Sequence, residues 1–500
     1  MTTWPANPVV HEIFTWAWLA DLGKRYRRAI TLADVPDKVW DDVARPGIDA
    51  VWLMGVWERS LIGAQIARTN PGMQAAHHAA LPGLTDADVV GSAYCVRDYV
   101  VDRRLGGEAG LAIARAALAH RGVRLVLDLV PNHVAPDHRW VREHPEFFVQ
   151  GTPEDLAREP HAFIQVGDRV LACGRDPYFP AWPEVLQLDA SHLGLRAAMV
   201  ELVGSLTRRC DGVRCDMAML LLDDVFVRTW GNRASGGPHP DGGRGYWPTI
   251  IRATKAARPD FVFWAEAYWD LEPVLLEQGF DACYDKRLYD RVVHGGPIDV
   301  AAVRAHLGAD ISYQRRTIRF VENHDEPRAA SVLEPAAHRA ALAAVFTLPG
   351  VALLHEGEAD GRHVRVPVTL GRRPVEEPDL ELRSFVGQLL DALAGGLRRG
   401  VWSVVPIWGW PDNASAERLL AWTWTAPDHR HLVVVNLSAD RADGRVRLAW
   451  SDLAGGTFVL DDLLSGERFE RDGNQLASDG LYVALDGHAA HVLKVTMRSS

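Results

Sequence analysis

Four short segments of this chain concentrate side chains that a hydrophobic core would not choose. They read DLVPNH, VRCD, WAEAYW and VENHDEPR, and they carry Asp128, Asn132 and His133, then Arg214 and Asp216, then Glu266, and finally Asn323, His324, Asp325 and Arg328. Each has an ordinary explanation when taken singly, since an acid at a strand end can cap a helix and Arg214 with Asp216 can be a structural ion pair. Their conjunction is harder to explain, because facing charges are unfavourable unless partners or a function offset them. The residue types also divide the labour of acid–base chemistry. Arg214 lies two residues before Asp216, on the same face of an extended strand, and is expected to lower the pKa of that carboxyl. Glu266 lies among Trp264, Tyr268 and Trp269, a setting that desolvates a carboxyl and keeps it protonated near neutral pH.

Groups from four distant segments need a scaffold that gathers them. Short apolar, β-branched-rich runs at 11–17, 49–54, 124–130, 212–215, 261–265, 282–284, 317–321 and 351–354 alternate with helical-period stretches. Near-continuous apolar strands alternating with helices predict a parallel sheet covered by helices, and eight units predict a closed (β/α)8 barrel. In such a barrel the functional groups sit at the C-terminal ends of strands, where the four segments fall. The stretch between the third and fourth strands is too long for one helix and predicts an inserted subdomain over 134–190. The Gly/Pro-rich run GNRASGGPHPDGGRGY (231–246) reads as a lid or a surface excursion. Beyond Gly395–Gly396 the pattern becomes alternating strands and turns. The expected division is thus a barrel over 1–395 and a C-terminal antiparallel β-sandwich over 396–500.

The 500 residues are 48% hydrophobic and 24% charged, which excludes wholesale disorder. With 54 basic and 65 acidic residues the net charge is −11, which argues against a nucleic-acid partner. No run reaches the length of a membrane span. The beginning MTTWPANPVVHEIF lacks the features of a secretion signal, and five scattered cysteines form no disulfide framework, so the expected location is the cytoplasm. The pair His77–His78 reads as surface. The run GGPHPDGG has no Lys-Ser/Thr after it and is no phosphate loop.

The four segments, in this order and at these strands, resemble the four signature regions of the α-amylase family, glycoside hydrolase family 13. QLDASHLGLR (187–196), AYCVRDY (93–99) and LPGVALLHEGE (348–358) resemble further elements of that family, so the likeness runs over essentially the whole chain. The resemblance implies Asp216 as nucleophile, Glu266 as general acid/base and Asp325 as transition-state stabiliser. It implies Arg214 orienting Asp216, His133 and His324 hydrogen-bonding the sugar at the scissile position, and Tyr94 stacking on it. Asp128 would be a structural partner within the site, and Arg328 joins the substrate-binding set. Glycosidic cleavage needs a protonated acid on the leaving oxygen and an ionised carboxylate beneath the anomeric carbon; a separation of about 5–5.5 Å would indicate retention.

Two departures stand out. A Lys–His pair found in many amylases is replaced by Met219 and Leu220, so although Asn132 occupies a position that can ligate calcium, no cofactor is expected. Met217 stands where related enzymes carry small or β-branched residues, which leaves the α-1,4 or α-1,6 preference open. Glu326 either tunes the leaving-group side or pairs with Arg328. The expected substrate is a short α-glucan, oligosaccharide or disaccharide, cleaved by double displacement. A transglycosylase, isomerase or phosphorylase using the same intermediate stays open, as does a non-catalytic carbohydrate-binding homologue.

Overall fold

Eight short strands close into a parallel barrel in the computed structural model, which describes residues 3–235, 245–294, 296 and 298–498. The strands are β1 (Val9–Phe14), β2 (Ala50–Met54), β3 (Arg124–Leu129), β4 (Gly212–Cys215), β5 (Val262–Ala265), β6 (Ala282–Tyr284), β7 (Thr317–Arg319) and β8 (Val351–His355). Each pairs with its neighbours in sequence, and β8 closes on β1 with Val9 opposite Ala352. Strands such as AVWLM in β2 are buried along their whole length, as expected for a sheet with a filled interior and helices outside.

The expected strand positions hold to within a residue or two except at the first. There β1 ends at Phe14, and Thr15, Trp16 and Ala17 begin the helix Thr15–Tyr26 instead of prolonging the strand. The alternation of HEIFTWA ran on by coincidence into a helix whose Trp18, Leu19 and Leu22 are buried together at helical spacing. The run 231–246 lies mostly outside the described residues, because 236–244 are not among them.

The excursion after β3 begins at His133–Val134 and returns through Trp182–Gln187, which pair antiparallel with Gln187 opposite His133. Three further strands, Arg169–Gly174, Gln150–Gly151 and Phe163–Val166, complete a five-stranded sheet between them. After the helix Leu380–Ala394 the chain forms a six-stranded and a three-stranded antiparallel sheet. Leu432, Val434, Phe458 and Leu493 of the larger sheet share an apolar core with Val446, Leu481 and Val483 of the smaller. The opposite face of the larger sheet turns Trp402, Trp422 and Trp424 into the core of the barrel layer, and Trp424 Nε1 donates to the carbonyl of Thr347 at 2.8 Å. Among the described residues no helix is long and apolar enough to cross a membrane.

Candidate active site

The barrel register delivers the charged groups to one rim. Arg214 of β4 stands opposite Asp128 of β3 and Trp264 of β5. The ladder continues one residue beyond the strands: the Asp216 N–H donates to Leu129 O at 2.8 Å and the Glu266 N–H to Cys215 O at 3.1 Å. Asp216 and Glu266 therefore emerge side by side. A glycine at the start of β4 is required for this closeness, since a Cβ on Gly212 would lie 2.2 Å from Val262 Cγ2.

The Arg214 guanidinium is the hub. Its Nη1 donates to Asp216 Oδ1 at 2.8 Å, its Nη2 lies 2.8 Å from Glu266 Oε2 and 3.9 Å from Asp325 Oδ2, and its Nε donates to Tyr284 Oη at 3.2 Å. Three carboxylates from β4, β5 and the end of β7 thus surround one cation. The rings of Trp52, Tyr94 and Tyr284 lie 5.3, 5.3 and 5.6 Å from its central carbon, a cation–π cage that excludes water. Glu266 is further fixed by the Met217 N–H on Oε2 (2.6 Å) and the Tyr268 hydroxyl on Oε1 (2.9 Å). Asp216 and Glu266 are buried, whereas the Asp325 side chain is 42% exposed and forms the open wall.

His324 forms a second centre. Its Nε2 is 2.6 Å from the Tyr94 hydroxyl and 3.0 Å from Asp325 Oδ2, and its ring stacks on Tyr94 at 5.4 Å. His133 lies edge-on to Trp182 at 5.3 Å, and burial pushes its pKa down to about 4, so it is neutral at ordinary pH. Burial raises Asp325, but the adjoining His324 and Arg214 outweigh it and hold the carboxyl at about 2. Asp216 behaves otherwise than expected. Burial, reinforced by the facing Glu266, pushes it up to about 8 against the pull of Arg214. The sequence shows the cation but not how completely the site is dried, and desolvation wins.

No family model matches this chain. The α-amylase MalA of Haloarcula japonica is 26% identical over 400 residues, covering 78% of this chain and 49% of that protein, so the chain spans about half the length of the curated relative it matches. Solved structures agree with the fold from end to end. An α-amylase from Lactobacillus plantarum superposes with TM-score 0.67 at 18% identity, covering 98% of this chain and 99% of that one. The Nostoc punctiforme debranching enzyme gives 0.66 at 16%, covering 99% of each. The chain is thus similar in sequence to an α-amylase and shares its fold with a solved α-amylase and a debranching enzyme.

Against the signature regions of the α-amylase family, the geometry gathers Asp216, Glu266, Asp325, Arg214, His324, Tyr94 and His133 at one rim and sets three expected assignments aside. Arg328 is buried beneath the rim, with Nη1 on Glu322 and 2.9 Å from His355 Nδ1, and Nη2 donating to Glu356 O at 3.0 Å; no face of it is left for a sugar. Asp128 is fully buried and uses both carboxylate oxygens internally, accepting from Trp52 Nε1 (3.1 Å) and from Gly55 N (2.8 Å), so it braces the site from within as the structural partner the resemblance implies. Glu326 pairs with Lys286 (3.0 Å) and His294 (3.5 Å), not with Arg328. His77 is buried against Thr369 Oγ1 (2.6 Å), not on the surface.

Asn132 Oδ1 accepts from Gln187 Nε2 at 2.9 Å, and among the described residues no cluster of three or more His, Cys, Asp or Glu is arranged for a metal. Sequence reasoning passed over Tyr284 and Glu12. Tyr284 ends a barrel strand as the chosen residues do, and that position was its one signal. Glu12 had only its charge within an otherwise apolar strand.

Proposed function

We propose that this chain is a retaining glycosidase that cleaves α-glucosidic bonds of short α-glucans or oligosaccharides. The observation that carries this reading is the single Arg214 guanidinium in contact with Asp216 and Glu266 and 3.9 Å from Asp325. Asp216 attacks the anomeric carbon while Glu266 gives its proton to the leaving oxygen. Asp325 stabilises the oxocarbenium-like charge, and Glu266 then deprotonates the water that releases the sugar from Asp216. Arg214 supports the negative charge that Asp216 must carry to attack. Neutral His133 and the Tyr94–His324 stack supply hydrogen bonds and a ring face suited to an uncharged sugar. A family likeness along the whole barrel agrees with this chemistry.

The test is incubation with maltooligosaccharides, maltose and sucrose, with and without phosphate, following the anomeric protons by NMR. Release of the α-anomer, lost in Asp216→Asn, supports the reading. First formation of the β-anomer from an α-linked substrate, or equal turnover by Asp216→Asn, overturns it.

A further inference from the structure

Glu12 is a carboxylate in the interior of a barrel, a place normally filled by Val, Ile or Leu. It pairs in register with Trp52 of β2 and His355 of β8, so its side chain shares the interior with theirs, while the preceding His11 reaches the Val43 carbonyl on the outside. It is fully buried, with Oε1 against His324 Nδ1 and with Oε2 lacking any hydrogen-bond partner. The other nitrogen of that ring faces Asp325 Oδ2 at 3.0 Å and the Tyr94 hydroxyl at 2.6 Å. Trp52 holds the ring edge-on at 5.4 Å.

We infer that Glu12 is a positioning residue that fixes His324 as a two-handed donor and, through it, sets where the Asp325 carboxylate stands. The inference rests on the catalytic reading of Asp325 given above. A ring that donates from Nδ1 to Glu12 and from Nε2 to Asp325 must carry both protons and a positive charge, and a buried imidazolium needs a facing anion. Asp325 supplies one such anion, but it lies at the open wall. Glu12 supplies the other from inside, where no water competes. The remaining titratable or charged groups around this pair are Asp128 of β3, Arg214 of β4, Tyr94, Tyr284, His355, Glu358 and, on the outer side of β1, His11. The direction of titration agrees: burial lowers His324, but Asp325 and Glu12 outweigh it and raise the ring well above the usual histidine range.

The test is NMR of the full chain labelled with 15N-histidine, free of ligand, with His324 assigned by its absence in His324→Gln. In the wild type both ring nitrogens are expected to stay protonated at pH 8. In Glu12→Gln, which keeps the shape and removes the charge, His324 is expected to lose its proton about 1–3 pH lower. In turnover assays Glu12→Gln is expected to lower kcat by about ten- to a hundredfold with KM little changed, and Glu12→Asp to restore much of both properties. A neutral His324 at pH 8 in the wild type overturns the inference, and it needs no variant to fold. A Glu12→Gln variant that folds with an unmoved His324 titration, or with unaltered kcat, also overturns it. The titration is read without substrate, so it stands or falls separately from the glycosidase reading.

Discussion

The backbone N–H of Met217 donates to Glu266 Oε2 at 2.6 Å, so the residue that follows Asp216 in sequence tethers its partner carboxylate in space. Met217 does so in the left-handed region, φ 45° and ψ 43°, an unusual conformation for a residue with a side chain. Because the donor belongs to the backbone, Met217→Ala is expected to keep kcat within a few-fold. Met217→Pro lacks the N–H and fixes φ at about −65°; it is expected to lose turnover and about 3 kcal/mol of stability. Steady-state kinetics and chemical denaturation of the two variants check this.

If Glu266 delivers the proton to the leaving group, its removal matters only where the leaving group needs one. Glu266→Gln is expected to lower kcat/KM about 10²–10⁴-fold on maltooligosaccharides. On a dinitrophenyl α-glucoside, whose leaving group departs as a stable anion, the formation of the glycosyl-enzyme should be nearly unaffected. A pre-steady-state burst of dinitrophenolate measures that step. Equal losses on both substrates would count against the assignment.

Asp216 is raised to about 8 by burial and by the facing Glu266. Below that pH Asp216 is protonated and cannot attack; above it the carboxyl is ionised, as a nucleophile must be. The kcat/KM of the free enzyme is therefore expected to rise as pH rises through about 8. Asp325, held at about 2, stays ionised throughout the working range. A profile flat through pH 8 would contradict the raised Asp216 carboxyl.

Arg328 separates a binding role from a supporting one. Its guanidinium neutralises Glu322, which burial would raise but which Arg328 and His355 hold at about 2. Arg328→Met leaves that buried carboxylate without its guanidinium partner and is expected to destabilise the fold by about 3–5 kcal/mol, with KM of the folded fraction unchanged. The Glu322 contribution is present above the unfolded carboxyl pKa of about 4.3 and fades as pH falls toward 2, so the deficit of the variant against wild type should shrink in acid. Denaturation at two pH values, together with KM, tests both halves.

The sequence revealed what depends on period and order. Apolar runs of three to seven residues separated by helical stretches located the barrel, and polar residues at strand ends marked Asp216, Glu266 and Asp325. It did not reveal which of several charged residues near a strand end turn inward. Arg328, three positions beyond Asp325, dives beneath the rim to Glu322, six residues away, and to His355, 27 residues away on another segment. The first strand misled because TWAW alternates like a strand and also packs like a helix. The ionisation of Asp216 was misjudged because a cation two residues away is visible in sequence, whereas the depth to which three aromatic rings seal it is a property of the assembled barrel.

The tryptophans that the large C-terminal sheet sends under the barrel helices bear on how this molecule can be cut or spliced. A fragment stopping near residue 395 would present a raw greasy flank where Trp402, Trp422 and Trp424 had lain, and would leave the Thr347 carbonyl without its indole donor. The tail is a retaining wall for the catalytic half, so the shortest piece worth expressing is one that keeps it.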